Sequence, residues 1–231
     1  MRAEFTFRTS LECRYLLQAP ESLAENPLIV VALHGYGQNA ATMQRLASNL
    51  FGEQTVIASL QAPNQHYLSS TTPDSVSGHN WGTRDNWDSC VRLHHDMLLQ
   101  VFQQLRSRFG TGPERILLIG FSQPVGLNYR FAGTHPNQVG GIIGLCGGVP
   151  KDWEEAKYQS FSTPILHIAR EEDEFFPAKT AEGFAARLRH HASDVEFTML
   201  PGGHRFPSKA GHVVHPWLKR VFGAQAGFVD P

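Results

Sequence analysis

Ser122, the acidic run Glu171, Glu172, Asp173 and Glu174, and His204 are residue types whose chemistries combine. A serine hydroxyl is a poor nucleophile until a base takes its proton. A neutral imidazole is the natural base near neutral pH. A buried carboxylate fixes the imidazole tautomer and stabilises the imidazolium that forms. Ser122 lies in LLIGFSQPVGLNYRFAG, residues 117–133, where an apolar run turns a corner into a helix-spaced segment. The acidic run follows TPILHIA, and His204 follows VEFTMLPGG, with Gly202 and Gly203 making a flexible turn before it. Each group comes just after a run that reads as a strand. The developing charge on a tetrahedral intermediate also needs two backbone N–H donors. The N–H of Gln123, one past the serine, is one candidate, and the N–H of Tyr36, just past His34 and Gly35, is the other. Gly35 and Gly37 let that loop come close to a substrate.

The elements that must position these groups are legible as alternating patterns. PLIVVALHG, TVIASL, VGGIIGLCGG and TPILHIA read as buried strands, and RILLIGF and VEFTMLPGG as further strands. Between them, Asn39 caps a helix carrying Met43, Leu46, Ala47 and Leu50 on one face. SCVRLHHDMLLQVFQQLRSRFG has helical spacing and is closed by Gly110, PVGLNYRFAG forms the helix after the serine, and PAKTAEGFAARLRHH forms another, with Pro177 early. The segment from Pro207 to Phe222 closes the chain as a helix. EFTFRTSLECRYLLQAP alternates in two short runs and predicts an antiparallel hairpin at a sheet edge. The expectation is an α/β fold in a single domain over residues 1–231: a mostly parallel central sheet with helices on both faces and an N-terminal antiparallel hairpin. In such sheets ligands bind outside the carboxyl ends of the strands, where all the candidate groups fall.

Composition narrows the function. Formal net charge is −1 over 231 residues, with 41% apolar and 18% charged residues. There is no basic stripe for nucleic acid and no apolar run long enough for stable membrane insertion. The three cysteines, Cys13, Cys90 and Cys146, are widely and irregularly spaced, which is no disulfide framework and points to a reducing, cytoplasmic setting. Cys146 reads as core. The adjacent pairs His94–His95 and His190–His191 do not face one site on a helix, so no metal is expected. Residues 61–87 form a long Ser-, Thr-, Pro- and Asn-rich loop carrying Trp81 and Trp87, expected as substrate-binding wall, with Arg84 and Asp85 between them.

The frame Gly120-Phe121-Ser122-Gln123-Pro124 resembles the G-x-S-x-G nucleophile elbow of α/β-hydrolases, with proline in place of the last glycine. LHGYGQNA, SLQAP, GFSQ, EEDEFFPAKTAE and LPGGHRFP, spread from Leu33 to Pro207, together resemble the phospholipase/carboxylesterase family, which includes the acyl-protein thioesterases. The resemblance implies Ser122 as nucleophile, Asp173 as the acid (by a D-x-x-x-P pattern ending at Pro177) and His204 as base. It implies a serine carboxylesterase or thioesterase acting on a small-molecule ester or thioester without a cofactor. HNWGTRDNWDS and the N-terminal segment resemble acyl-protein thioesterases less than the catalytic blocks do. Two other readings remain at this level: a serine peptidase or amidase on the same scaffold, and a binding protein whose elbow Pro124 has spoiled. Proline disfavours helical backbone at Gln123 and its ring needs space, for which Gly126 is the expected slack. Position 124 nevertheless falls in the first helical turn, where a missing N–H costs little, so the expectation is an active elbow with a slightly shifted helix start. By base rate, the expected oligomer is a homodimer through an exposed helix or edge strand.

Overall fold

Five buried runs rich in Ile, Val and Leu, flanked by two half-buried edge strands, form a seven-stranded sheet in the computed structural model, which describes residues 1–69 and 76–223. The strands are β1 (Tyr15–Gln18), β2 (Ile29–Leu33), β3 (Val56–Leu60), β6 (Ile116–Phe121), β7 (Gly141–Leu145), β8 (Ile165–Arg170) and β9 (Val195–Leu200). Their order is β1-β3-β2-β6-β7-β8-β9, parallel throughout except for β1. A separate two-stranded ribbon, β4 (Asn64–Tyr67) and β5 (Ser77–Asn80), rises from the loop after β3. Residues 70–75 of that loop lie outside the described residues.

Side chains along the central strands alternate between two cores. Ile29, Val31, Leu33, Ile116 and Leu118 face one side, beneath Leu98, Phe102 and Leu105 of α2 (Trp87–Phe109) and Leu127 and Phe131 of α3 (Gln123–Thr134). Val30, Ala32, Ile57, Leu117 and Ile119 face the other. There they meet Met43, Ala47 and Leu50 of α1 (Ala40–Phe51) and Val214, Trp217 and Leu218 of α6 (Gly211–Phe222). The expected caps are present: the Asn39 side chain accepts the Thr42 N–H at 2.8 Å, and Gly110 ends α2 at a φ of 63°.

Three local expectations are revised. The N-terminal antiparallel edge strand exists, but its partner is β3, with Tyr15 opposite Leu60, and residues 1–14 hold no strand. Thr9 and Ser10 do not supply the positive-φ turn a tight hairpin needs, whereas β3 offers a free edge. The helix over PAKTAEGFAARLRHH breaks into α4 (Ala178–Ala181) and α5 (Phe184–Leu188) around Gly183, a poor helix former. The ribbon β4–β5 was not expected, because its residues are polar and show no apolar alternation. No helix among the described residues is long and apolar enough to cross a membrane.

The switch point of the sheet lies at β2, whose neighbours β3 and β6 lead away in opposite directions. Leu33 pairs with Gly120, so the loops after β2 and β6 open side by side.

His34, His94, His95 and His167 are all buried in the fold. Burial holds the His34 and His95 imidazoles down at about 4, His167 at about 3, and His94 well below its ordinary range. In the unfolded chain they titrate near 6.5. Stability is therefore full above about pH 6.5 and falls as pH drops toward 4, because the unfolded chain takes up protons that the fold refuses. Each such histidine adds a slope of up to about 1.4 kcal/mol per pH unit. Four together exhaust a typical stability of about 5–15 kcal/mol within two to three units. Circular dichroism against pH is expected to show cooperative unfolding at about pH 4–5, and intact tertiary signals at about pH 3.5 would contradict it.

Candidate active site

Ser122 sits at the corner between β6 and α3, with a φ of 63° and a ψ of −111°. A left-handed conformation is costly for serine and persists only where neighbours over-determine it. Here the Ser122 N–H donates to the Leu145 carbonyl at 2.8 Å, and its own carbonyl accepts the Val125 N–H at 3.2 Å. The strand and helix close tightly behind it. A Cβ at Gly120 would stand 2.7 Å from Asn128 Nδ2, and one at Gly147 would stand 2.4 Å from Val125 Cβ. Glycine at 120 is thus a packing requirement of the elbow.

Pro124 is buried and is the second residue of α3, which starts at Gln123 immediately after the serine. The missing N–H has no intrahelical partner to lose there. Its ring fits beside Gly120, where a Cβ would meet Pro124 Cγ at 3.4 Å, an ordinary contact. Gly126 is not the slack: it faces Gly148 and Pro150 across the next loop. Pro124→Gly is therefore expected to leave ester turnover at the wild-type order. It should lower stability by about 1–3 kcal/mol, through unfolded-chain entropy and the lost buried ring. Urea unfolding beside an ester assay checks both, and a tenfold gain in turnover would show that the proline does distort the elbow.

His204 Nε2 lies 2.8 Å from Ser122 Oγ, and His204 Nδ1 lies 2.7 Å from Asp173 Oδ2. Because a carboxylate only accepts, Nδ1 carries the proton and Nε2 is free to accept from the serine hydroxyl. Asp173 is 3% exposed, and its Oδ1 accepts the N–H groups of Phe175 and Phe176, both at 2.9 Å. The chain turns round this carboxylate, which selects it from the acidic run. Glu171, Glu172 and Glu174 are exposed. Glu174 has a different contact, accepting the His204 backbone N–H at 3.2 Å. The imidazole is walled by the rings of Phe121, Phe175 and Phe176, at centroid distances of 5.4, 4.7 and 6.0 Å.

Across the crevice, the loop after β2 is braced by the buried His34. Its Nδ1–H donates to the Gly35 carbonyl at 2.8 Å, and its Nε2 accepts the Ala62 N–H at 3.1 Å. Gly37, at a φ of 76°, donates its N–H to the His79 carbonyl of β5 at 2.9 Å, and His79 returns an N–H to Gln38 at 3.1 Å. Gly35 has no room for a side chain, since a Cβ would stand 2.9 Å from the Phe121 ring. The backbone N–H groups of Tyr36 and Gln123 have no acceptor among the described residues. Two free donors thus flank the serine from adjacent strand ends, an arrangement suited to a developing oxyanion.

The two tryptophans are placed differently from expectation. Trp81 is 1% exposed and belongs to the core, so it is not a pocket wall. Trp87 is half-buried at the start of α2, with the Arg130 guanidinium 5.6 Å from its ring. It lines a groove of about 380 Å³ with Arg130, Asp152 and Tyr158 that contains none of Ser122, Asp173 or His204. Arg84 and Asp85 are exposed. Cys146 is buried and donates to the Arg205 carbonyl at 3.4 Å, and burial pushes its thiol up to about 12, which leaves it no nucleophile. Among the described residues no group of three His, Cys, Asp or Glu is arranged to hold a metal ion. Sequence reading missed the Gln123 side chain, which reaches residues 81 and 82, and the Glu174 contact; partners so far apart in the chain leave no local signal.

The model of one family, Phospholipase/Carboxylesterase, matches residues 18–220. Comparison with curated proteins gave no match. Among solved structures, the chain is similar to a carboxylesterase from Mesorhizobium loti, at 18% identity and a TM-score of 0.72 over 92% of this chain and 97% of that one. It is similar to esterase PE8, at 22% identity and a TM-score of 0.69 over 92% and 100%. A third is the Bacillus cereus carboxylesterase, at 14% identity and a TM-score of 0.69 over 91% and 95%. These identities speak for the fold, and the family match covers nearly the whole described chain: the protein belongs to the phospholipase/carboxylesterase family of α/β-hydrolases.

Proposed function

We propose that the chain, acting as one domain, is a serine carboxylesterase or thioesterase that works through an acyl-enzyme on Ser122. The observation that carries this reading is the unbroken line of short contacts from Ser122 Oγ through His204 to the buried Asp173. In the proposed cycle Ser122 Oγ attacks the acyl carbonyl carbon while His204 Nε2 takes its proton. The carbonyl oxygen, now an anion, is held by the N–H groups of Tyr36 and Gln123. Collapse of this intermediate expels the alcohol or thiol, which leaves with the proton from His204. A water then gives its proton to the same nitrogen as it attacks the acyl-serine, and His204 returns that proton to Ser122 Oγ as the acid is released. Family membership supports hydrolysis as the reaction class. The three cysteines, all free, support a reducing compartment such as the cytoplasm.

The test is hydrolysis of p-nitrophenyl esters of increasing acyl length by the purified protein, beside the matching p-nitroanilides. Ester turnover far above anilide turnover supports the reading. Preferential anilide cleavage would favour a peptidase. No turnover of either, with no covalent labelling by a fluorophosphonate, would leave a binding protein.

A further inference from the structure

The two free N–H donors lie on segments 87 residues apart in sequence, yet one side chain ties them together. Gln123 Oε1 accepts the Trp81 N–H at 2.9 Å, and Gln123 Nε2 donates to the Gly82 carbonyl at 2.8 Å. The amide thus clamps one peptide stretch from both of its ends. Trp81 in turn donates its indole Nε1–H to the His34 carbonyl at 2.7 Å. His34 is two residues before Tyr36, and its ring is locked by Gly35, Gln61 and Ala62. A closed path therefore runs from the Gln123 side chain through Trp81 to the His34 carbonyl and on to the Tyr36 N–H. The path has little slack. The Trp81 ring is buried between the rings of His34 and His94, at 5.5 and 5.6 Å. Gly82 passes so close to α2 that a Cβ there would stand 2.7 Å from Cys90 Cβ.

We propose that Gln123 and Trp81 are positioning residues that hold the two oxyanion donors at a fixed separation. The proposal rests on the esterase reading above and adds to it. Gln123 then has two tasks, its main chain supplying one donor and its side chain fixing the other. Donors must meet the oxyanion at about 2.7–3.1 Å, and the ground-state carbonyl oxygen does not sit where the oxyanion will. Loosening the brace therefore costs transition-state stabilisation, and it appears in kcat with KM unchanged.

The experiment uses Gln123→Met, which removes both amide bonds at a half-buried position, and Trp81→Phe, which removes the indole N–H. Turnover is expressed per serine labelled at the end point by a fluorophosphonate, so that misfolded protein is not counted. Each single variant is expected to lose about 10-fold to 100-fold in kcat with KM unchanged. The double variant is expected to be no worse than the poorer single, because both break one brace. Amide hydrogen exchange over residues 33–39 should quicken in both. Unchanged kcat per labelled serine, or a rise in KM alone, overturns the proposal. A wild type that neither turns over nor labels sinks the esterase reading instead. The brace is then judged by exchange alone, and unchanged exchange in both variants overturns it.

Discussion

Ser122→Ala is expected to lower kcat for a good ester by about 10⁴-fold to 10⁶-fold without unfolding the protein. In the proposed cycle the loss is large because the hydroxyl would form the covalent intermediate, and neither His204 nor the N–H pair could replace it. The fold should survive because, among the described residues, the side chain makes one hydrogen bond, to His204 Nε2. The main-chain bonds that hold the corner, to Leu145 and from Val125, do not involve the side chain. Alanine at a φ of 63° is strained about as serine is. Residual turnover would come from binding and from the oxyanion donors. The assay is steady-state ester hydrolysis with the melting temperature measured alongside. A variant that melts like the wild type and keeps its activity would remove Ser122 from the reaction.

Asp173→Asn is expected to lower kcat by about 10⁴-fold, and the local geometry supplies the reason. Two backbone N–H groups, from Phe175 and Phe176, point at Oδ1. In the asparagine variant they will claim the one remaining oxygen, so the amide NH₂ must face His204 Nδ1. A donor there forces Nδ1 to become the acceptor and places the ring proton on Nε2. The imidazole can then no longer accept the proton of Ser122. Glu172→Gln, at an exposed neighbour, is expected to leave kcat at the wild-type order. Comparing the two tests whether the acid is the residue the chain wraps or simply part of a charged run. Equal losses in both would contradict the assignment of Asp173.

The sheet and its order of chemistry-bearing loops were legible because buried parallel strands read as unbroken apolar runs. Ile29–Leu33 and Ile116–Phe121 leave little choice of structure. The grouping of Ser122, Asp173 and His204 was legible because each follows a strand, and because the D-x-x-x-P pattern of the family it resembles separated Asp173 from its neighbours. What stayed hidden depends on long-range partners. β1 chooses β3 over its own N-terminal neighbour, and no local pattern encodes that competition. Trp81 suggested a pocket wall by its size and loop context. Its indole N–H instead satisfies the His34 carbonyl in the core, a pairing across 47 residues. Pro124 departs from a motif that asks for glycine, yet its place in the first helical turn, and so an active elbow, was legible; the shifted helix start was not found, since α3 begins at Gln123. At the second helical position neither its missing N–H nor its ring costs much, and the position that cannot spare its glycine is 120.

The most direct test of the account is to treat the folded wild-type protein with a fluorophosphonate and map the adduct by mass spectrometry. One adduct per chain is expected, on Ser122, formed quickly at neutral pH and abolished by denaturation or by His204→Ala. An unlabelled native protein, or an adduct on another residue that persists in Ser122→Ala, would contradict it.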